Sequence, residues 1–252
     1  MKKSGANIKD IEYNGISFII PAFNEESRIV KILDTATEYL SKDFKDYEII
    51  IVDDGSTDKT KEAVEHYMNS GSDKIRLIKN RINKGKGYSV RIGMLAAKYD
   101  LAVFSDADLA TPISELKKLM NALLKGHDIV IASRNMKESR RIVKQPYYRQ
   151  IMGKTFPIIV NILLSMDFKD TQCGFKLFKT QIAKKILRKQ TIDRFAFDVE
   201  ILYIAKKLGY RICEVPVLWI DKKDSKVSPF RDSWKMFLDI IKIRMNSIKD
   251  IY

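Results

Sequence analysis

Short runs of β-branched and apolar residues alternate along the chain with longer segments whose apolar residues recur every three or four positions. Residues 16–20 close on Pro21, 47–52 on Asp53-Asp54-Gly55-Ser56, 101–104 on Ser105-Asp106, and 128–132 on Ser133-Arg134. Each run reads as a strand buried between two layers. Between them, 25–40, 57–68, 86–98 and 114–125 carry helical spacing, with Ser56 or Asp58 and Thr111 or Ser114 as N-cap candidates. The alternation predicts an α/β protein with a mostly parallel central sheet flanked by helices. From Pro146 onward the alternation loosens, so the last hundred or so residues read as a second half that completes a site. No internal repeat or low-complexity linker interrupts the pattern.

Every predicted strand ends in small or charged residues, and open α/β sheets bind ligands beyond the carboxyl ends of their strands. Asp53, Asp54, Asp106 and Asp108 gather at two such ends, in a chain of 252 residues with 46 Lys+Arg against 32 Asp+Glu and a net charge of +14. The Asp106-x-Asp108 pair places two carboxylates where they can face one oxygen-seeking cation, Mg²⁺ or Mn²⁺, whose remaining positions are left to water and a diphosphate. A plain turn-forming role is the alternative for such residues. Asn83-Lys84-Gly85-Lys86-Gly87 opens a helix that continues to Arg91, so amides, a helix N-terminus and cations converge where a phosphate would sit. It matches neither the Walker nor the dinucleotide spacing, and a Gly-rich turn with solvated lysines is the alternative.

Charge and composition narrow the classes. A 45% hydrophobic chain of this length supports a real core and excludes disorder as the main state. The positive balance favours a polyanionic partner: nucleic acid, a nucleotide diphosphate or an anionic membrane. No helix-turn-helix, RNP or zinc pattern is present, and the acidic strand ends would repel nucleic-acid phosphates, so no nucleic-acid partner is expected. Cys173 and Cys213 form no C-x-x-C pair and read as free thiols of a reducing cytoplasm. Residues 1–15 contain no apolar signal-peptide core, and the apolar stretch 156–164 is interrupted by Pro157 and Asn161 and too short to span a bilayer.

These motifs resemble the inverting glycosyltransferases of family 2, with the GT-A nucleotide-sugar-binding fold. Pro21-Ala22-Phe23-Asn24-Glu25-Glu26 is similar to the family's first-strand signature, Val52-Asp53-Asp54-Gly55-Ser56-Thr57-Asp58 to its second, and Asp106-Ala107-Asp108 to its metal motif. Asp170-Thr171-Gln172-Cys173-Gly174-Phe175-Lys176-Leu177-Phe178, Arg194-Phe195-Ala196-Phe197-Asp198-Val199-Glu200 and Glu214-Val215-Pro216-Val217 are similar to the dolichyl-phosphate β-glucosyltransferase subgroup. The likeness spans about residues 16–244. Leu109-Ala110-Thr111-Pro112 follows the metal motif where the mannosyl enzymes have Leu-Gln and paired prolines, which leans away from GDP-mannose; the usual glucosyl variant has Gly at the position of Leu109.

The resemblance implies a metal-dependent enzyme transferring glucose from UDP-glucose to a polyprenyl (dolichyl-type) phosphate with inversion. GDP-mannose as donor or a saccharide as acceptor is the alternative. Pro21, Ala22, Glu25, Asp53 and Lys84 would hold the nucleoside, with Asn24, Asp54, Gly85, Lys86 and Ala107 completing the donor site. Asp106 and Asp108 would hold the metal. Ser133, Arg134 and Arg149 would contact the acceptor phosphate, for which the arginine fork is suited. Asp198 is the leading position for a general base, with helix capping or orientation of Arg194 as other duties.

The implied organisation is a GT-A catalytic domain over 1–228, with a nucleotide-sugar half at about 15–132 and an acceptor half at 133–228, followed by a basic amphipathic helix over 229–252. In that helix Trp234, Phe237, Leu238, Ile241, Met245 and Ile248 share one face, Lys235, Lys242 and Lys249 recur to one side, and Met236, Ile240 and Ile243 lie near the back. That is more apolar surface than one packed face uses. The helix either packs on protein or lies in the headgroup region of a bilayer. With a membrane-embedded acceptor, the expectation is a peripheral enzyme on the cytoplasmic face.

Overall fold

The computed structural model describes residues 13–142, 147–220 and 229–252, and of residues 147–152, 154 and 229–232 the backbone alone. The first half runs β1 (Ile16–Ala22), α1 (Ile29–Asp43), β2 (Tyr47–Asp53), α2 (Thr60–Asn69), β3 (Ile75–Lys79), α3 (Lys86–Leu95), β4 (Leu101–Ser105), α4 (Leu116–Leu123) and β5 (Ile129–Ser133). The second half adds β6 (Arg140–Arg141), α5 (Tyr147–Leu164), β7 (Phe175–Lys179), α6 (Thr180–Leu187), α7 (Phe197–Lys207), β8 (Ile212–Pro216), β9 (Leu218–Trp219) and α8 (Pro229–Ile248).

Seven strands form one sheet in the order β3-β2-β1-β4-β7-β5-β8. All neighbours are parallel except β7, which runs antiparallel between β4 and β5. β6 and β9 make a separate two-stranded pair. The sheet therefore draws strands from both halves of the sequence. Its two faces carry separate cores: α1, α2 and α4 cover one, while α3, α6 and α7, joined by residues of α5 and α8, cover the other. β1, β2, β4 and β5 are buried almost throughout, which is why their sequences are continuous apolar runs.

The strands that pattern alone did not reveal have identifiable reasons. β3 and β8 lie at the sheet edges and are only partly buried, so their apolar signal is diluted. β7 carries Lys176 in its buried centre, which breaks the apolar run. Three helix starts also move: α1, α2 and α4 begin at Ile29, Thr60 and Leu116, later than the spacing predicts. The chain after β1 turns through Asn24, at φ 53°, and α1 begins only after the Arg28 and Ile29 amides donate to the Glu25 carbonyl. Asp58 Oδ1 accepts from the Thr60 amide at 3.0 Å at the start of α2. Neither Thr111 nor Ser114 caps α4: a 3₁₀ turn over Ile113–Glu115 leads into it, and Thr111 Oγ1 meets Cys173 Sγ at 3.4 Å. Among the described residues no helix is long and apolar enough to cross a membrane.

Candidate active site

The carboxyl ends of β1, β2 and β4 lie side by side, because β1 pairs in parallel with both of the others. A small cavity of about 80 Å³ opens beyond β4, lined by Asp106, Asp108, Thr111, Arg134, Gly174 and Trp219 among others. The Asp106 amide donates to the Gly174 carbonyl at 3.0 Å, tying the end of β4 to the segment before β7. A β-carbon on Gly174 would lie 2.1 Å from Asp106 Oδ2, so a glycine is required for the Asp106 carboxylate to occupy its place. Asp108 Oδ1 accepts from the Ala110 amide at 2.9 Å across Leu109, whose φ is 47°. That left-handed backbone explains why glycine suits position 109.

Burial, and then the charge of Asp106, push the Asp108 carboxyl above its ordinary pKa. Two neighbouring carboxylates in that setting call for positive charge. Lys86, on the first turn of α3, supplies one: its Nζ stands 2.5 Å from Asp106 Oδ1. Burial works against the lysine's charge, but Asp106 and Asp198 outweigh it and raise its pKa. Two hard oxygen donors short of countercharge fit Mg²⁺ or Mn²⁺. Among the described residues no cluster of three or more metal-ligating side chains exists, so water and a diphosphate would complete the coordination.

The turn from 83 to 87 is organised by Asp54. Its Oδ1 accepts from Asn80 Nδ2 at 2.9 Å and the Lys84 amide at 3.0 Å, and its Oδ2 from the Gly85 amide at 2.8 Å. The expected phosphate cradle is thus filled by the protein's own carboxylate. Asp54 and Gly85 shape the turn, and Lys86 is the residue it delivers to Asp106. Arg91 points elsewhere, ion-pairing with Asp193 at 3.0 Å. Lys84 Nζ is exposed and bonds the Tyr88 hydroxyl at 3.1 Å, over whose ring it lies.

Asp53, at the end of β2, is paired in register with Ala22 and accepts from the Ser56 amide at 3.2 Å. Pro21 precedes Ala22 on β1. Asn24 and Glu25 brace the neighbouring loops: Asn24 Oδ1 accepts from the Thr57 amide at 2.8 Å, and buried Glu25 pairs with Arg28. Ala107, between the two aspartates, is buried in the core beneath them.

The acceptor-side expectations divide. Arg134 lines the cavity, but its guanidinium is held by Asp170 in a two-pronged pair, Nε to Oδ2 at 2.7 Å and Nη2 to Oδ1 at 2.8 Å, over the ring of Trp219. Burial opposes the charge on Asp170, and the guanidinium overrides it, holding the carboxyl below its usual value. Ser133 is fully buried within β5, so direct contact with an acceptor phosphate is corrected to a structural place. Arg149 falls on α5, and its side chain lies outside the described residues. Arg141, given no role from sequence beyond nearness, stands beside Arg134. Arg141 is exposed at its surface, and partial desolvation, and then the like charge of Arg134, lower its pKa. An anion placed between the two would relieve the repulsion.

Asp198 is not a free base. It is buried at the start of α7 and pairs with Lys176 Nζ, which also donates to the Cys173 carbonyl at 2.7 Å. Lys176, Asp170, Gly174 and Arg141 line or brace the candidate site and had no role assigned from sequence. The first three stand inside a motif quoted for its family likeness, so a signal was present; what each side chain does was set by its neighbours across the sheet.

Comparison with known proteins agrees with this geometry. The model of Glycosyl transferase family 2 matches residues 17–187. The chain is 40% identical over 248 residues to a dolichyl-phosphate beta-glucosyltransferase of Dictyostelium discoideum, covering 94% of this chain and 76% of that protein. It is 35% identical to the human enzyme of that name, covering 97% and 79%. Among solved structures, glucosyl-3-phosphoglycerate synthase of Mycobacterium tuberculosis in complex with Mn²⁺, UDP-glucose and phosphoglyceric acid superposes with a TM-score of 0.63 at 18% identity, over 92% of this chain and 79% of that one. A Pyrobaculum calidifontis mannosyltransferase in complex with GDP-Man and Mn²⁺ gives 0.60 at 19% identity, over 98% and 68%. The chain is a glycosyltransferase and belongs to family 2, with the GT-A fold.

Proposed function

We propose that this glycosyltransferase moves glucose from UDP-glucose to a polyprenyl, dolichyl-type phosphate at the cytoplasmic surface of a membrane, with inversion and with a divalent cation held by Asp106 and Asp108. The observation that carries the acceptor is the position of Arg134. It lines both the small cavity at Asp106 and a neighbouring cleft of about 640 Å³ whose walls combine Arg141 and Lys169, against one acidic residue, Asp167, with Pro157, Ile158 and Phe168. A cleft basic at its shared wall and apolar beyond suits a phosphate carrying an isoprenoid tail. The names of the relatives support the same acceptor and sugar.

Chemically, a divalent cation at the aspartates supplies charge neutralisation for the departing diphosphate. Lys86 adds a fixed positive charge at the same place. Arg141, with Arg134 behind it, holds the acceptor phosphate. That oxygen is ionised near neutral pH, so attack needs no general base, which agrees with the pairing of Asp198 to Lys176.

Surface contact is supported by an apolar bank on two packed helices. On α8, Met236, Ile240 and Ile243 face the core, while Trp234 (64% exposed), Leu238, Ile241, Met245 and Ile248 (71%) face out, flanked by exposed Lys235, Lys242 and Lys249. On α5, Ile158, Ile159, Ile162 (73%) and Leu163 also face out. Exposed apolar side chains on two packed helices, beside lysines, suit an anionic bilayer. Free Cys173 and Cys213 suit a reducing compartment.

The test is transfer by the purified protein from UDP-glucose or GDP-mannose, with Mn²⁺, to dolichyl phosphate in vesicles. A glucolipid formed only from UDP-glucose is expected. Preference for GDP-mannose, or transfer to a saccharide hydroxyl and not to the lipid, overturns the assignment.

A further inference from the structure

Glu200 on α7 has no exposed surface and takes no part in the site described above. Its carboxylate nevertheless collects a full set of donors. The Thr191 amide donates to both oxygens at 3.0 and 3.1 Å, the Ile192 amide at 2.8 Å, the Thr191 hydroxyl at 2.7 Å and the Tyr252 hydroxyl at 2.6 Å. Asn246 of α8 closes the cage, donating to Thr191 Oγ1 and to the Tyr252 oxygen, each at 3.0 Å. A buried carboxylate satisfied in this way fixes the groups around it.

The segment it fixes, 190–194, grips the donor-site turn. The Asp193 carbonyl accepts from the Tyr88 amide at 3.0 Å, Gln190 Nε2 donates to the Gly87 carbonyl at 3.0 Å, and Arg194 Nη1 donates to Asn83 Oδ1 at 3.1 Å. A β-carbon at Gly85 would lie 2.5 Å from the Asp193 carbonyl oxygen, and one at Gly87 would lie 2.9 Å from each of the Ile192 and Arg194 carbonyl oxygens, so the two segments touch backbone to backbone. The same turn carries Lys86, whose ammonium stands 2.5 Å from Asp106. An unbroken series of contacts joins the α8 segment to the Asp106 carboxylate.

We propose that Tyr252 and Asn246 are positioning residues for the donor site, acting through Glu200 and the 190–194 segment on the turn that carries Lys86. The assignment of a donor to that turn rests on the function proposed above; the mechanical coupling does not. Loss of the Tyr252 hydroxyl leaves Glu200 short of one donor and Asn246 short of one acceptor, loosening the segment that seats the turn.

Tyr203 supplies the control. Its hydroxyl donates to Ser247 Oγ at 2.7 Å and its ring meets Tyr252 edge-on at 6.1 Å, so Tyr203→Phe removes an α7–α8 hydrogen bond without touching Glu200. Amide hydrogen exchange of residues 84–88 is measured in the ligand-free wild type, Tyr252→Phe and Tyr203→Phe, alongside calorimetric binding of UDP in Mn²⁺. Tyr252→Phe is expected to speed exchange at 84–88 and weaken UDP by about tenfold, the order set by one hydrogen bond to a charged acceptor. The KM for UDP-glucose should rise while that for the lipid phosphate stays constant. Tyr203→Phe should leave all three at wild-type values. Unchanged exchange at 84–88 in Tyr252→Phe, or equal changes in both variants, overturns the coupling. Failure of wild-type protein to bind UDP counts against the donor assignment alone, because exchange is read without ligand.

Discussion

Arg134 closes its guanidinium fork on Asp170 with two hydrogen bonds of 2.7 and 2.8 Å, and its own backbone amide adds a third to the same carboxylate at 2.8 Å. The arginine is thereby a fixed wall of the cavity. Because the Asp170 pKa is lowered in the fold from a reference of 3.8, its contribution to stability is complete above that reference and is lost as pH falls through the lower folded value. Asp170→Asn is expected to destabilise the protein at neutral pH by about 3 kcal/mol, the scale for breaking a buried pair. It should also flatten the acid limb of the stability profile. Denaturant midpoints at pH 7 and below pH 4 check both.

Arg141 is exposed beside Arg134, and the proposed function gives it the acceptor phosphate. Arg141→Ala should raise the KM for lipid phosphate by roughly tenfold, as expected for losing a charge-assisted contact, with the melting temperature unchanged. Arg134→Ala should instead lower the melting temperature, since it strands Asp170. Steady-state kinetics with thermal melts distinguishes the two.

Gly174→Ala places a methyl group on the Asp106 carboxylate. Mn²⁺-dependent UDP binding, followed by calorimetry, should fall to background. Far-UV circular dichroism should stay native, because the contact is with a side chain at the edge of the cavity. Undiminished binding would remove Asp106 from the metal site.

Asp108 carries a raised pKa, so near neutral pH its ionisation works against the fold. Asp108→Asn should therefore increase the melting temperature in metal-free buffer, abolish the further increase given by Mn²⁺ with UDP, and eliminate turnover. A variant that melts lower without metal would contradict the electrostatic account. Strain for function of this kind is a familiar trade against stability.

The exposed bank on α5 and α8 predicts that Ile162→Glu combined with Ile248→Glu weakens binding to anionic vesicles, measured by flotation, while hydrolysis of UDP-glucose by water is preserved. Both positions face away from the core, so folding should be unaffected. Equal flotation of variant and wild type would leave the bank as a contact for protein.

The continuous apolar runs of β1, β2, β4 and β5 and the acidic residues at their ends determined the α/β class and the position of the candidate site, because strand burial and the loop beyond it are local consequences of sequence. The two faces of α8 were equally legible from helical spacing, but which one turned inward was not: Met236, Ile240 and Ile243 found the sheet layer, leaving the larger Trp234 face exposed. Charge partners lay furthest from what sequence reveals. Asp54 was drawn into the turn by the Lys84 and Gly85 amides, Arg134 was taken by an aspartate 36 positions away, and Asp198 by a lysine 22 away on an antiparallel strand. Burial obliges each ion to find a compensating partner, either hydrogen-bond donors or an opposite charge. Only the packing of distant segments decides which partner that is, and therefore which acidic and basic residues remain free to meet a substrate.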